Sequence, residues 1–371
     1  MIKREAGFSL VELMITMVVF LLVIAVAASV FTGLITQFKQ QSKISETNIE
    51  GIVGLEILRQ DIGNAGYGLP WNGLVAYNEA ATAPASNYND NGNPPRAILS
   101  GNNTGINNSD YLVIKAINVA MNDQCKKWTT IKVAPFGSLP APGNPRIWVP
   151  DRENVNKEDD GSTNNNVRVI VLSPGSTELN RRTLVTNGAT FFTRYNNITS
   201  SPWPPADATE TRIIYGVDPD TDLRMPFNRA DYFIWTANVP QRCAPNTGVL
   251  EKAVVNQGDG RLTFLPLLDC VADMQVIYRR DTDGDGSIDN TTDDISALTT
   301  QQIRDQVQEV RAYILAHEGQ YDRNFTYPNS TITVGEFGLG SNFNLAATIG
   351  TNWQNYRWKV YTMVVKPNNL R

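Results

Sequence analysis

Histidine is almost missing from this chain: among 371 residues there is only His317. That excludes histidine-based catalytic triads and multi-histidine metal centres, and leaves His317 itself reading as a loop or core-edge residue. Cysteine is nearly as scarce. Cys125, Cys243 and Cys270 are too few for a disulfide scaffold and lack the C-x-x-C spacing of a metal knuckle. Basic charge is thin as well. The net charge is −5, with no basic stripe downstream of the N-terminus, so nucleic acid is not an expected partner. There is no Gly-rich phosphate loop, no nucleophile elbow and no convergent carboxylate pair, and no enzymatic activity is expected.

What is present is a length suited to one large globular domain or two small ones. Beyond position 70 the chain is rich in Asn, Thr, Asp, Gly and Pro and poor in Lys. Such a mix suits a loop-rich β domain facing an extracytoplasmic space. Ahead of it, Lys3 and Arg4 form a short basic head, and no charge interrupts Leu13 to Phe31. That run approaches the roughly 20 residues a helix needs to cross a bilayer. The basic side is expected to stay cytoplasmic, with the C-terminal bulk outside.

Three readings of this segment compete: a secretory signal cut after Ala25-Val26-Ala27, a plain signal anchor, and a helix that is kept after a cut on its cytoplasmic side. Glu12 separates them. A carboxylate in a lipid-embedded helix is costly and marks function, whereas a signal-peptide core gains nothing from it.

Gly7-Phe8-Ser9-Leu10-Val11-Glu12-Leu13 resembles the cleavage and methylation motif of type IV prepilins and type II secretion pseudopilins. The resemblance implies cleavage by a prepilin peptidase between Gly7 and Phe8, and methylation of the new Phe8 amine. It also implies that Glu12 pairs with a Phe8 amine, in the same subunit or its neighbour, when helices leave lipid for a filament. Breaking such a buried pair costs about 3–5 kcal/mol, enough to set subunit register. The expected layout is a leader at 1–7, a transmembrane and polymerisation helix at 8–35, its amphipathic continuation at 36–66, and an extracytoplasmic β-rich domain at 67–371.

In the continuation, Ile44, Ile52, Leu55, Leu58 and Ile62 fall on one stripe at helical spacing. Gly33, Gly51 and Gly54 weaken the helix locally, and Gly33 is a place for a kink. Gly63, Gly66, Gly68 and Pro70 end it. The exit Leu58-Arg59-Gln60-Asp61-Ile62-Gly63-Asn64-Ala65-Gly66-Tyr67-Gly68 resembles that of the PilW family of minor pilins. Gly63-Asn64 departs from that family's basic-containing spacer. Val310–Leu315 and Tyr356–Thr362 resemble the same family's last strands, while the middle of the chain is only loosely matched.

Strand-like runs recur at Tyr111–Ala116, Thr130–Val133, Val167–Leu172, Ile213–Tyr215, Tyr232–Ala237, Gly248–Val255, Asp273–Arg279, Val307–Leu315 and Arg357–Val365. The expected fold class is α+β and pilin-like: a long N-terminal helix packed on an antiparallel sheet with Asn-rich loops. Asp110-Tyr111 and Asp231-Tyr232 open two runs that echo each other. The Asn-rich stretches 85–110 and 151–166 read as exposed loops.

Asp281-Thr282-Asp283-Gly284-Asp285-Gly286-Ser287-Ile288-Asp289 has the spacing of a calcium loop. Asp281, Asp283 and Asp285 take positions 1, 3 and 5, Gly286 the turn, Ser287 a carbonyl position and Asp289 position 9. Thr292 stands where a bidentate Glu is usual, leaving Asp293 or Asp294 as substitutes, and the entering element reads as a strand. A structural Ca2+ is therefore expected, against an empty turn held by Asx hydrogen bonds. Cys243 and Cys270 flank a strand and could bridge, stabilising by about 3 kcal/mol. Cys125 with Cys243 is the rival pairing, and sequence does not choose.

The resemblance implies a minor pilin active in assembly or priming, with a place at the filament tip open to so bulky a domain. Expected partners are prepilin peptidase, other minor and major pilins, the inner-membrane assembly platform and the lipid bilayer. It would sit in the inner membrane with its N-terminus cytoplasmic and its bulk periplasmic, then on the cell surface in the filament. The alternatives are a type II secretion pseudopilin and a membrane-anchored binding protein.

Overall fold

The computed structural model describes residues 9–370, except 74, 91–93, 134–142 and 178. A single helix, α1, runs from Leu10 to Asn64, 55 residues without a break. Helical structure continues through Gly33, with no interruption there. From Leu10 to Phe38 every apolar side chain is exposed, and burial begins only beyond.

The buried line of the second half is Thr47, Gly51, Gly54, Leu58, Asp61 and Ile62. Ile52, expected on the packed stripe, is 69% exposed instead. The reason lies in Gly54. A Cβ there would stand 1.9 Å from the Leu267 carbonyl oxygen, so Gly54 is what lets strand backbone touch the helix, while Gly51 faces the Leu268 and Tyr361 side chains. That close line turns Ile52 outward. At the exit, Gly66 and Gly68 adopt left-handed φ of +82° and +66°, which glycine tolerates without a Cβ penalty.

Beyond the helix the strands are β1 (Ile98–Gly101), β2 (Tyr111–Ala116), β3 (Trp128–Lys132), β4 (Arg168–Ser173), β5 (Thr183–Leu184), β6 (Thr193–Arg194), β7 (Thr211–Asp218) and β8 (Asn228–Trp235). They continue as β9 (Gly248–Val255), β10 (Leu262–Arg280), β11 (Asn290–Thr292), β12 (Val307–Glu318), β13 (Thr331–Val334), β14 (Ser341–Asn344) and β15 (Arg357–Val365). A short helix, α2, spans Thr300–Gln306.

The main sheet is antiparallel with the order β1-β2-β8-β9-β10-β12-β15, and β11 pairs with β10. A second sheet has the order β3-β7-β4-β5, with β6 beside β4, and β13 and β14 form a separate hairpin. Leu58 and Ile62 of α1 join Leu112, Tyr232, Leu250, Met274, Ile314 and Met363 in the largest core, between helix and main sheet. The opposite face of the sheet buries Tyr313, Leu315 and Trp358 against Val334 and Phe343 of the hairpin.

Two local expectations change. Strand β10 begins at Leu262, well before Asp273, because bulges around Pro266, Leu268 and Val271 interrupt its alternation. The stretch 85–110 is not all exposed loop: Ala85, Ser109, Asp110 and the whole of β1 are buried. In 151–166, most residues are exposed or half-buried, and Asn154 and Val155 are buried.

The buried part of 76–96 is held by charge. Glu79, Lys115 and Arg229 are fully buried. Lys115 Nζ donates to Glu79 at 2.7 Å and to Asp90 at 2.8 Å, and Arg229 donates to Glu79 at 2.8 Å and to Asp231 at 2.7 Å. Each buried charge thus has an opposite partner, without which burial would be prohibitive. The two Asp-Tyr strands are neighbours, Leu112 facing Tyr232, and the Tyr111 hydroxyl donates to Asp231 at 2.6 Å.

Candidate functional site

Gly7 and Phe8, the expected cleavage and methylation positions, lie outside the described residues. The first described turn shows how the chain there is built. Ser9 is the N-cap of α1, its Oγ accepting from Val11 N at 3.3 Å, and the Glu12 carboxylate accepts from Ser9 N at 3.2 Å. This reciprocal capping box places the carboxylate at the positive end of the helix. Glu12 therefore points back toward the peptide that joins Phe8 to Ser9, one residue from the amine that cleavage would create.

Past Glu12 the helix offers nothing polar beyond Ser and Thr hydroxyls until Gln37, and these hydroxyls bond back to the helix: Thr16 to Leu13 O, Ser29 to Val26 O, Thr36 to Thr32 O. The segment is long and apolar enough to cross a membrane. Its backbone and hydroxyls satisfy one another, as lipid requires. The other half of the helix is tied to the domain, so the molecule is a free apolar rod joined to an anchored one.

The acidic loop 281–289 closes a hairpin between β10 and β11, with Arg280 paired to Asn290. Strands flank it on both sides. Carboxylate oxygens of Asp281, Asp283 and Asp285 come within 4.8 Å of one another. Gly284 and Gly286 take φ of +80° and +93°, and their amides donate to Asp281 at 2.7 and 2.9 Å. Gln308 Nε2 donates to the same carboxylate at 2.7 Å.

Asp289 does not join that group; its carboxylate accepts from Thr282 N at 3.0 Å and Thr282 Oγ1 at 2.7 Å. These bonds hold its pKa below the usual carboxylate range. Asp285 accepts from Ser287 N at 2.6 Å. Thr292 lies in β11 opposite Tyr278, and Asp294 accepts from Ser296 N at 2.8 Å. The donors at hand are hard oxygens from positions 1, 3 and 5, a set that suits Ca2+ over a thiophilic ion.

Cys243 and Cys270 are joined by a disulfide, and Cys125 is a buried free thiol. Burial pushes the Cys125 thiol up to about 12, so it stays protonated and inert. His317 is fully buried in β12 beside the disulfide. Sequence inspection missed that neighbourhood, and also missed Lys252 and Tyr232 as partners of Asp61. Only the chain's rarity of histidine marked His317 in advance.

A family model described as the prokaryotic N-terminal methylation motif matches residues 2–28. No curated protein matches the chain. Among solved structures, the type IV-like pilin TTHA1219 from Thermus thermophilus is similar at 15% identity, over 39% of this chain and 80% of that one. The TM-score is 0.19, at which the likeness carries no inference about the globular domain. At its N-terminus, then, the chain carries a methylation motif of the prepilin kind, set on the apolar first half of a long helix.

Proposed function

We propose that the chain is a minor type IV pilin of the PilW kind, cut by prepilin peptidase between Gly7 and Phe8 and built into a filament through α1. The observation that carries this reading is Glu12: a carboxylate at the head of α1, uncharged from there to Phe38, accepting from the amide of Ser9, the residue after Phe8. In the membrane the carboxylate stays near the interface. In a filament it meets the amine of the same or the next subunit, and the pair fixes axial register.

The bulk of the domain favours a role in priming or at the tip over a repeating shaft position. Partners in this reading are other pilins and the inner-membrane assembly platform, with no catalysis by this chain. The same reading places the domain outside the cytosol, where the Asp281–Asp289 hairpin would take Ca2+ as a structural clamp on β10 and β11. The test is Glu12→Ala in cells. Processing should proceed and incorporation into sheared filaments should fall sharply; normal incorporation would remove the charge-pair mechanism.

A further inference from the structure

Cys243 lies in the connection between β8 and β9, Cys270 at the bulged part of β10, and His317 in β12. Both sulfurs and one imidazole nitrogen lie within 4.8 Å of one another. We infer that, once the disulfide is opened, Cys243, Cys270 and His317 form a binding site for a thiophilic divalent cation of the Zn2+ class.

His317 Nε2 accepts a hydrogen bond from Ala244 N at 2.9 Å, so the ring proton sits on Nδ1, and a cation bound at Nε2 would take the place of that hydrogen bond. Nδ1 is buried and makes no full hydrogen bond. The rings of Tyr356 and Trp358 hold the imidazole from two sides, with centroids at 4.6 and 5.3 Å.

Two thiolates and one imidazole are soft-to-borderline donors that select Zn2+ over Ca2+, the opposite preference to the acidic hairpin. Cys243 is half-buried, whereas Cys270 and His317 are buried. Metal–ligand bonds of about 2.0–2.3 Å set tetrahedral donors roughly 3.3–3.8 Å apart, so the two sulfurs must part from bonding distance before both can ligate one cation.

The chemistry balances. A dithiol reductant gives two electrons and two protons to the Cys243–Cys270 bond and becomes a disulfide itself. The two thiols then lose one proton each to solvent as the cation binds, so cation and thiolates are neutral together. Disulfide and metal are alternative ties between the same two segments, and in the metal form His317 exchanges its hydrogen bond from Ala244 N for a bond to the cation.

The test uses the full chain in detergent micelles, reduced with a phosphine, freed of reductant and titrated anaerobically with Co2+. The expected result is about one equivalent bound with thiolate-to-cobalt charge transfer and tetrahedral d–d bands, displaced by Zn2+ and absent from the oxidised chain. His317→Gln should weaken binding at least ~10-fold, and Cys125→Ser should leave it unchanged. An oxygen-donor spectrum alone, a band indifferent to His317→Gln, or one lost with Cys125→Ser would overturn the site. Should His317→Gln fail to fold, alkylation of Cys243 and Cys270 in reduced Cys125→Ser decides: protection by Zn2+ supports the site, and equal labelling contradicts it.

Discussion

Asp61, in the last turn of α1, is ion-paired to Lys252 in β9 at 2.5 Å, across 191 residues of sequence, with both side chains less than a tenth exposed. The Tyr232 hydroxyl donates to the same carboxylate. Burial pushes the Asp61 pKa upward, and Lys252 and Tyr232 pull against it. This knot sits inside the core that joins helix to sheet, and fixes which turn of the helix meets which strand.

Removing one member strands the other. Asp61→Ala should cost about 3–5 kcal/mol in chemical denaturation of the detergent-solubilised chain, because Lys252 is left buried and alone. The double change Asp61→Leu with Lys252→Met should recover most of that loss. A single variant as stable as the parent would show that the pair does not anchor the helix.

The glycines of α1 should behave in opposite ways. At Gly54 a Cβ would meet the Leu267 backbone at 1.9 Å, and backbone cannot step aside. Gly54→Ala should destabilise by about 1–3 kcal/mol or more. At Gly33 nothing lies within 4 Å of an added Cβ, and Gly33→Ala should leave the melting temperature unchanged or slightly raised. Equal effects at the two positions would contradict the close approach of β10.

Acid should strengthen part of the domain. Burial raises Asp110 to about 7 and Asp273 to about 6. Their unfolded values lie near 3.9. Between these limits the folded state holds the extra protons, so this contribution to stability is fully present below about pH 4 and is lost as pH rises through 6 to 7. Asp273 is the cleaner test, since its Oδ2 is buried without a hydrogen bond. Asp273→Asn should match the parent near pH 4 and exceed it at pH 8 by on the order of 1–3 kcal/mol. Comparing variant with parent at each pH cancels His317. A constant difference across that range would contradict the assignment.

Calcium should act on the hairpin alone. In calcium at about 100 times its Kd the domain should gain about 2.7 kcal/mol, lost on chelation. Asp283→Ala should abolish the gain with little effect in chelator, since Asp283 is exposed and its one bond is to Asp285 N. Calorimetric silence toward calcium would remove the metal from the account.

Much of this architecture is legible in the chain. Gly248–Val255 and Arg357–Val365 read as strands with the bounds the structure has, because they are short runs rich in β-branched or aromatic residues with turn residues at their flanks. The helix reads from its apolar run and its glycine-rich exit. What escapes is set by contacts distant in sequence. Ile52 looks like a core position by periodicity, yet the strand seeks the glycine line beside it. Lys115 and Arg229 look like surface residues, and are buried because Glu79 and Asp90 arrive from the distant 76–96 segment, while Asp231 stands two residues from Arg229 in β8. In the acidic loop, spacing foretold the gathering of Asp281, Asp283 and Asp285, but not the bond to Thr282 that holds Asp289 apart.

Mass spectrometry of the mature N-terminus reads the head of α1 itself. The chain should begin at Phe8, carrying one added methyl on its amine. A mature chain that still begins at Met1, or one that begins at Ala28 after loss of the apolar helix, would contradict the proposed cleavage.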